Sequence, residues 1–110
     1  MAPGRRHDAA AIDRFRDAYA HNKAFWDEVT PIHAASDYYR LDQFRRGEDV
    51  LHDFIVEEVG DVSGLSMLHL QCHFGLDTLN WARKGAEVTG VDISGASIER
   101  ARELSTDLNI

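Results

Sequence analysis

The sequence is poor in several residue types, and each scarcity disfavours a class of protein. One cysteine, Cys72, stands among 110 residues, so no internal disulfide can form, as is typical of a reducing compartment. The 12 basic residues are outnumbered by 19 acidic ones, giving a formal net charge of −7. This charge disfavours a nucleic-acid partner, which would need clustered Lys and Arg. No apolar run approaches the ~20 residues of a membrane helix. Residues 1–15 do not resemble a secretory signal. We expect a cytoplasmic chain that binds neither membrane nor nucleic acid.

Proline is also scarce, and its two positions help to divide the first part of the chain. Residues 1–7 are predicted to be a disordered tail. Apolar residues then recur at three- and four-residue spacing over residues 8–29, which predicts an amphipathic helix. Pro31 is expected to end this helix, because the residue before a proline is pushed out of helical geometry. Residues 32–46 have no clean period and predict a loop or short turns.

A second helix is predicted over residues 48–59. Glu48 and Asp49 would lie at its positive end, and Gly60 would stop it. Together with the first helix, it defines a predicted N-terminal helical cap region spanning residues 8–64.

The remaining residues alternate between strand and helix patterns. Residues 66–71 predict a short strand, which would be buried on both faces inside a sheet. Residues 76–84 predict a helix stopped by Gly85, residues 87–91 a second strand, and Ser94 is a suitable N-cap for a last helix. Strands that are each followed by a helix are expected to pair in parallel. The predicted fold class is therefore α/β.

The loop after the first strand distinguishes between two kinds of nucleotide cofactor. An acid, Asp92, ends the second strand about 20 residues after the loop, where nucleotide-binding units hold a ribose diol. A dinucleotide needs glycines there, so that its pyrophosphate can approach the backbone. Two of these glycine positions hold Gln71 and His73, and Asp77 in the following helix would repel a pyrophosphate. The loop thus disfavours NAD and FAD and favours S-adenosyl-L-methionine, which has no phosphates.

The run LHLQCHFGLDTLNWARKGAEVTGVDIS, residues 68–94, resembles the first motifs of class I S-adenosylmethionine-dependent methyltransferases. It is most similar to a bacterial subgroup with a His-Leu-Gln-Cys-His-Phe-Gly loop, and residues 22–47 resemble that subgroup too. The resemblance implies a Rossmann-like methyltransferase fold acting on a small-molecule acceptor. Residues 65–110 would form the first half of its cofactor-binding domain, with two of its strands and their helices, so we expect a truncated chain.

The resemblance also implies roles for individual residues. Asp92 would accept hydrogen bonds from the ribose hydroxyls, and Ile93 would pack on the adenine. Gly75 would allow close backbone approach beside the methionine moiety. His69 stands where the family has an acid, and Asp77 is our candidate to replace that acid in binding the ammonium group. The pocket would be lined by Gln71, Cys72 and His73.

Other interpretations of the same residues receive less support. His69, Cys72 and His73 could be metal ligands, but a structural zinc site would usually need a fourth ligand with characteristic spacing, so we predict no metal. A Cys72 nucleophile activated by His73 is disfavoured, because neighbours on an extended segment point to opposite sides.

Two questions stay open at the level of sequence. No catalytic base can be named, and the other histidines, including His33, receive no role. We expect the aromatic residues Trp26, Tyr39 and Phe44 to pack in the core and not to form a lid above a cofactor. A non-catalytic module is the alternative function, in which open strand edges would lead to self-association or to pairing with another chain.

Overall fold

A computed structural model describes residues 9–110, so the predicted tail at residues 1–7 lies outside the described part of the chain. The elements follow in the order α1 (Ala9–Ala34), a 3₁₀ turn (Asp37–Tyr39), α2 (Leu41–Arg45), α3 (Asp53–Val59), β1 (Ser66–Leu70), α4 (Leu76–Arg83), β2 (Glu87–Val91) and α5 (Gly95–Leu108). None of the helices in this range is both long and apolar enough to cross a membrane.

The two strands form a parallel sheet, as the sequence predicts. Their register pairs Ser66 with Glu87 at one end and Leu70 with Val91 at the other. Burial of β1 on both faces was expected for a position inside a sheet, but within residues 9–110 the sheet has two strands and β1 has a partner on one side only. Side chains along each strand alternate between half-buried and exposed. Leu68 is 62% exposed and Leu70 66% exposed. The fold is α/β, and within residues 9–110 only one face of its sheet is covered.

Two hydrophobic clusters hold the helices together and onto the covered face. The larger one joins α1, α2, the loop after β1, α4 and α5, and the smaller one lies between α3, α4 and the strands. The larger cluster consists of Ala34, Leu41, Phe44, Val50, Phe74, Leu76, Leu79 and Leu104, and the smaller of Leu51, Val62, Trp81 and Ala86. Phe44 is therefore a core aromatic, as predicted.

Helix α1 does not end at Pro31, which corrects the sequence-based boundary. Proline removes one backbone donor and its ring crowds the carbonyl of the previous turn, but the rest of the helix can still close around it. Here the last turn is fixed by packing, since Thr30 and Ala34 are both buried. The Thr30 hydroxyl also donates to the Trp26 carbonyl, at 2.6 Å. The helix continues to Ala34, which carries His33 into the site described below.

Two other boundaries differ from the predictions. Residues 32–46 contain the 3₁₀ turn and the short helix α2, so they are more regular than the expected loop or short turns. Helix α3 begins at Asp53 instead of residue 48. Asp49, which was expected in its first turn, makes other contacts. Its carboxylate accepts from the Leu51 amide and pairs with Lys84 at 2.6 Å. The segment before α3 is thereby held outside the helix.

The elements around the sheet otherwise match the sequence closely. Helix α4 ends before Gly85, whose φ of 98° is the left-handed conformation that glycine adopts without strain. Ser94 caps α5 by accepting from the Ser97 amide. Gly60 caps α3 with a φ of 78°. The parallel register of the strands places the carboxyl ends of β1 and β2 side by side.

Candidate functional site

The loop joining β1 to α4 has the backbone of a glycine-rich loop at positions that mostly hold other residues. Gln71, His73 and Gly75 have φ values of 57°, 53° and 81°. These are the alternate positions of the Gly-x-Gly-x-Gly pattern in the family that the sequence resembles. A left-handed conformation costs a non-glycine residue roughly 1–2 kcal/mol. The chain therefore keeps this loop geometry at an energetic cost. Compared with a loop of glycines, it has the side chains of Gln71 and His73 at the site.

Asp92 joins this loop to the end of the second strand. Its Oδ2 accepts from the His73 amide and its Oδ1 from the Ser94 amide, both at 2.8 Å. The loop is further tied to β2 by the Cys72 amide, which donates to the Val91 carbonyl at 3.0 Å. Each carboxylate oxygen of Asp92 uses one of its acceptor sites in this way and keeps another for a ligand. The acid is thus positioned by the backbone before any ligand binds.

Two of the cavities that flank the loop share Gln71 and His73. The Asp77 pocket has a volume of about 140 Å³ and is lined by Tyr39, His69, Gln71, Cys72, His73, Phe74, Leu76 and Asp77. The Asp92 pocket has a volume of about 460 Å³ and is lined by Tyr19, Asn22, Trp26, Gln71, His73, Asp92 and Ile93. Six of the seven predicted cofactor-binding residues therefore line one or both of these pockets.

Gly75 is the exception, and the structure shows a packing reason for it. It lines neither pocket, and a Cβ atom at this position would lie 2.8 Å from the Cβ of Ala101 on α5. Its φ of 81° also favours glycine. Gly75 allows α5 to approach the start of α4, whereas its predicted contact with the methionine moiety stays a prediction.

The Asp77 pocket contains the acid and the histidine that the sequence singled out. Although Asp77 is exposed as a residue, desolvation raises the pKa of its carboxyl group, and His69 and His52 oppose that effect. His69 does not point freely into the pocket, because its Nδ1 lies 2.6 Å from the Thr78 hydroxyl. Asp77 is the acid among the residues that line this pocket, so its carboxylate could accept hydrogen bonds from an ammonium group, as predicted.

Cys72 is a buried residue beneath the loop. Its pKa is raised by burial and by the nearby charge of Asp92, which favours the neutral thiol over a nucleophilic thiolate. Its Sγ donates to the His73 carbonyl at 3.6 Å. Residues 9–110 hold no group of three or more potential metal ligands. The cellular location expected from this single cysteine stays a prediction.

Three aromatic rings from the N-terminal region surround His73, and sequence reasoning gave none of them a site role. Trp26 and His33 come from α1 and Tyr39 from the 3₁₀ turn. Their ring centroids lie 5.5, 5.2 and 5.6 Å from that of His73. The spacing of Trp26, Thr30 and His33 predicts that they share one face of α1, but it does not indicate their contact with His73.

A line of hydrogen bonds runs through this cluster. His33 Nδ1 lies 3.2 Å from the Tyr39 hydroxyl and 3.1 Å from His73 Nε2. His73 Nδ1 in turn lies 3.1 Å from the Ser97 hydroxyl, which is 2.6 Å from that of Thr30. Burial and the neighbouring His33 lower the pKa of His73, with Asp92 opposing them. His73 is therefore held in its neutral form near pH 7.

Asp27 fastens α1 beside this cluster. It accepts from the Ser94 hydroxyl and the Ala96 amide at the start of α5, and it pairs with Lys23 at 2.6 Å. The hydrogen bonds from Lys23, Ser94 and Ala96 lower the pKa of Asp27 to about 2. The negative group also suits the positive end of α5.

Comparison with known proteins relates the chain to methyltransferases. It is 32% identical over 104 residues to the ubiquinone biosynthesis O-methyltransferase of Bordetella pertussis, covering 92% of this chain and 37% of that protein. A protein of the same name from Alkalilimnicola ehrlichii is 34% identical over 58 residues, covering 53% of this chain and 24% of that protein. The matched residues thus span between about a quarter and little more than a third of the length of these curated relatives. No protein-family model and no solved structure matches it.

Proposed function

We propose that this chain is part of an S-adenosylmethionine-dependent methyltransferase that transfers a methyl group to an oxygen of a small molecule. The observation that carries the proposal is the contact of Asp92 with the His73 amide, in a loop with left-handed residues at positions 71, 73 and 75. The similarity to proteins named O-methyltransferases supports it independently. The acceptor oxygen is suggested by that name alone.

Under this proposal each of the two pockets would hold one end of the cofactor. Asp92 offers its remaining acceptor sites to the ribose hydroxyls, and the neighbouring Ile93, 41% exposed, offers an apolar surface to the adenine. Asp77 offers a carboxylate to the ammonium group at the other end. When bound, the cofactor would supply an electrophilic methyl group on its sulfonium. Gln71 and His73, which line both pockets, would then lie closest to the reacting atoms.

The chemistry needs little from the protein beyond alignment. Methyl transfer is an in-line displacement, and holding the two reactants in line supplies most of the acceleration in such reactions. The preformed contacts of Asp92 and the loop would fix one reactant. Trp26 and Tyr39 would exclude water from the other side of His73.

We propose further that this chain supplies only part of the complete site. The sheet formed by residues 66–91 has one bare face, and its two strands have unpaired outer edges. Additional strands and helices, from the same polypeptide or another, would cover these surfaces and complete the walls of the Asp92 pocket.

A non-catalytic module that acts through association is the second candidate. The exposure of Leu68 and Leu70 on the bare face favours it, because exposed apolar strands readily pair with another chain. Under this proposal the cluster around His73 would have a purely structural role.

Calorimetry with S-adenosylhomocysteine, the product of the reaction, separates the two candidates. The methyltransferase proposal predicts binding that Asp92→Asn weakens by about 10- to 100-fold, as for loss of hydrogen bonds to a charged group at ~1.5–3 kcal/mol. The matched control is Asp107→Asn, on the last turn of α5, where the acid pairs with Arg45. NADH should not bind. Stable oligomers in size-exclusion chromatography that ignore S-adenosylhomocysteine would instead support the association module.

A further inference from the structure

We propose that His33 and His73 form a two-imidazole proton relay that takes up the proton which the methyl acceptor loses. The inference rests on the proposed function, because it requires an acceptor whose O–H bond breaks on methylation. It assigns a catalytic role to His33, which no sequence pattern indicated. The argument starts from the directions of the hydrogen bonds around the pair.

The direction of the hydrogen-bond line is fixed at its buried end. Thr30 donates its single hydroxyl proton to the Trp26 carbonyl, so it must accept from Ser97. Ser97 has then used its own proton, so it must accept from His73 Nδ1. The proton of neutral His73 is therefore on Nδ1, and Nε2 carries the lone pair.

The same argument continues to His33. Because His73 Nε2 is an acceptor, His33 Nδ1 is assigned as the donor in the 3.1 Å contact between them, and the Tyr39 hydroxyl, 3.2 Å from the same nitrogen, then accepts from it too. The lone pair of His33 then lies on Nε2, and no hydrogen bond joins this atom to any side chain that the structure describes. His33 itself lines neither pocket, but its ring contacts those of Trp26, Tyr39 and His73, which do.

The proton can then move in two coupled steps. The acceptor oxygen gives its proton to His33 Nε2, and the proton on His33 Nδ1 passes to His73 Nε2. The electron pair of that oxygen forms the new bond to the methyl carbon, and the electrons of the broken C–S bond return to sulfur. The positive charge ends on His73, and the proton later leaves to solvent.

The surroundings favour this final position of the charge. Asp92, at the end of β2, raises the pKa of His73 against the lowering effects of burial and His33. Tyr39 faces the pair from the 3₁₀ turn as a neutral phenol, since burial raises its pKa. Helix α5 presents the Ser97 hydroxyl, and on α1 the acid Asp27 is already paired with Lys23. Among the described side chains, Asp92 is thus the carboxylate whose charge raises the pKa of His73, and it can stabilise the imidazolium.

The first test is the tautomer of His73, read from the ¹⁵N shifts of its imidazole ring. The relay predicts a proton on Nδ1 and a lone pair on Nε2 near pH 7, and Ser97→Ala should shift this signal while leaving that of exposed His21 unchanged. A proton found on Nε2 would overturn the proposed direction. This measurement needs no substrate.

The second test is the pH profile of methyl transfer to catechol and to the thiol of free cysteine, followed through S-adenosylhomocysteine formation. In His33→Asn the amide nitrogen keeps the donor to His73 but cannot take a proton. We expect kcat on catechol at pH 7 to fall by about 10²- to 10⁴-fold. The loss should shrink as the pH approaches the phenol pKa of about 10, and it should be smaller for the thiol, with a pKa of about 8.5.

The outcomes distinguish the relay from simpler explanations. Unchanged affinity for S-adenosylhomocysteine in His33→Asn, with His21→Asn behaving as wild type, supports the relay. An equal loss at every pH would show a structural role only, and an unchanged rate would refute the relay. If the wild-type chain binds no S-adenosylhomocysteine, the proposed function fails. If it binds but shows no turnover, as a partial site would, the tautomer of His73 alone decides the relay, and a proton on Nε2 refutes it.

Discussion

The two faces of the β1–β2 sheet differ sharply although the same ten residues form both. On the covered face Met67 and Val88 pack against the cluster that contains Trp81. On the other face Leu68 and Leu70 remain exposed. The candidate site at the carboxyl ends of the strands is assembled from the covered side, through α1, α4 and α5. Side chains of the bare face take no part in the hydrogen bonds that position Asp92. Substitutions on the bare face and substitutions at the candidate site can therefore be tested independently.

Truncating one leucine on each side of the sheet should give the largest contrast. Leu79 on α4 is 8% exposed in the larger cluster, and Leu68 on the bare face is 62% exposed. Leu79→Ala should lower the free energy of unfolding by ~2–5 kcal/mol, whereas Leu68→Ala should change it by less than ~0.5 kcal/mol. Urea denaturation measures both. A large loss in Leu68→Ala would mean that the bare face is covered in solution.

Adding one methyl group to β2 should give the next largest difference between the faces. A Cβ at Gly90 would lie 2.9 Å from the Cys72 Sγ. Gly90→Ala should therefore destabilise the fold by ~1–3 kcal/mol through overpacking. The double variant with Cys72→Ala should recover most of that loss in a thermal melt. If Cys72→Ala gives no recovery, the close packing beneath the loop is not the cause.

A glycine in the loop should act in the opposite direction from a glycine in the adjacent strand. Gln71 has a φ of 57° and is exposed. In Gln71→Gly the relief of ~1–2 kcal/mol of strain should exceed the ~0.5–1 kcal/mol entropic cost of glycine. A net gain of about 0.5 kcal/mol is expected, whereas Leu70→Gly, one residue earlier, should lose stability. Equal losses in chemical denaturation would contradict the strained loop geometry.

The smallest expected effect is a pH dependence located in α1. Because the folded pKa of Asp27 is lowered from 3.8 to about 2, its contribution to stability is present above pH 4. That contribution is lost as the pH falls through about 2. Asp27→Asn should therefore be less stable than wild type near pH 5, and the difference should vanish below pH 2. Asp13→Asn, in the exposed first half of α1, is the control for acid titrations followed by circular dichroism.

The sequence predicts local features of this molecule better than its long-range contacts. The parallel strands, α4 and the Ser94 cap follow from periodicity and capping residues near each other in the chain. The left-handed loop and the position of Asp92 beside it agree with the family pattern. These features depend on residues 66–97, where spacing alone decides the geometry.

The contacts of α1 could not be predicted in the same way. The sequence places His33 after Pro31, where a helix was expected to have ended, and no local pattern brings it to His73 forty residues later. The extra helical turn depends on burial of Thr30 and Ala34, which is a tertiary effect. The start of α3 was wrong for a similar reason, since Asp49 is held by Lys84 on α4.

Amide chemical-shift mapping with S-adenosylhomocysteine tests the central claim most directly. The account predicts that the largest changes fall on Gln71, His73, Asp92 and Ile93, together with the Trp26 indole, and that the amides of the bare face at Leu68 and Thr89 change little. An absence of changes, or changes confined to the bare face, would contradict a cofactor site at the carboxyl ends of the strands.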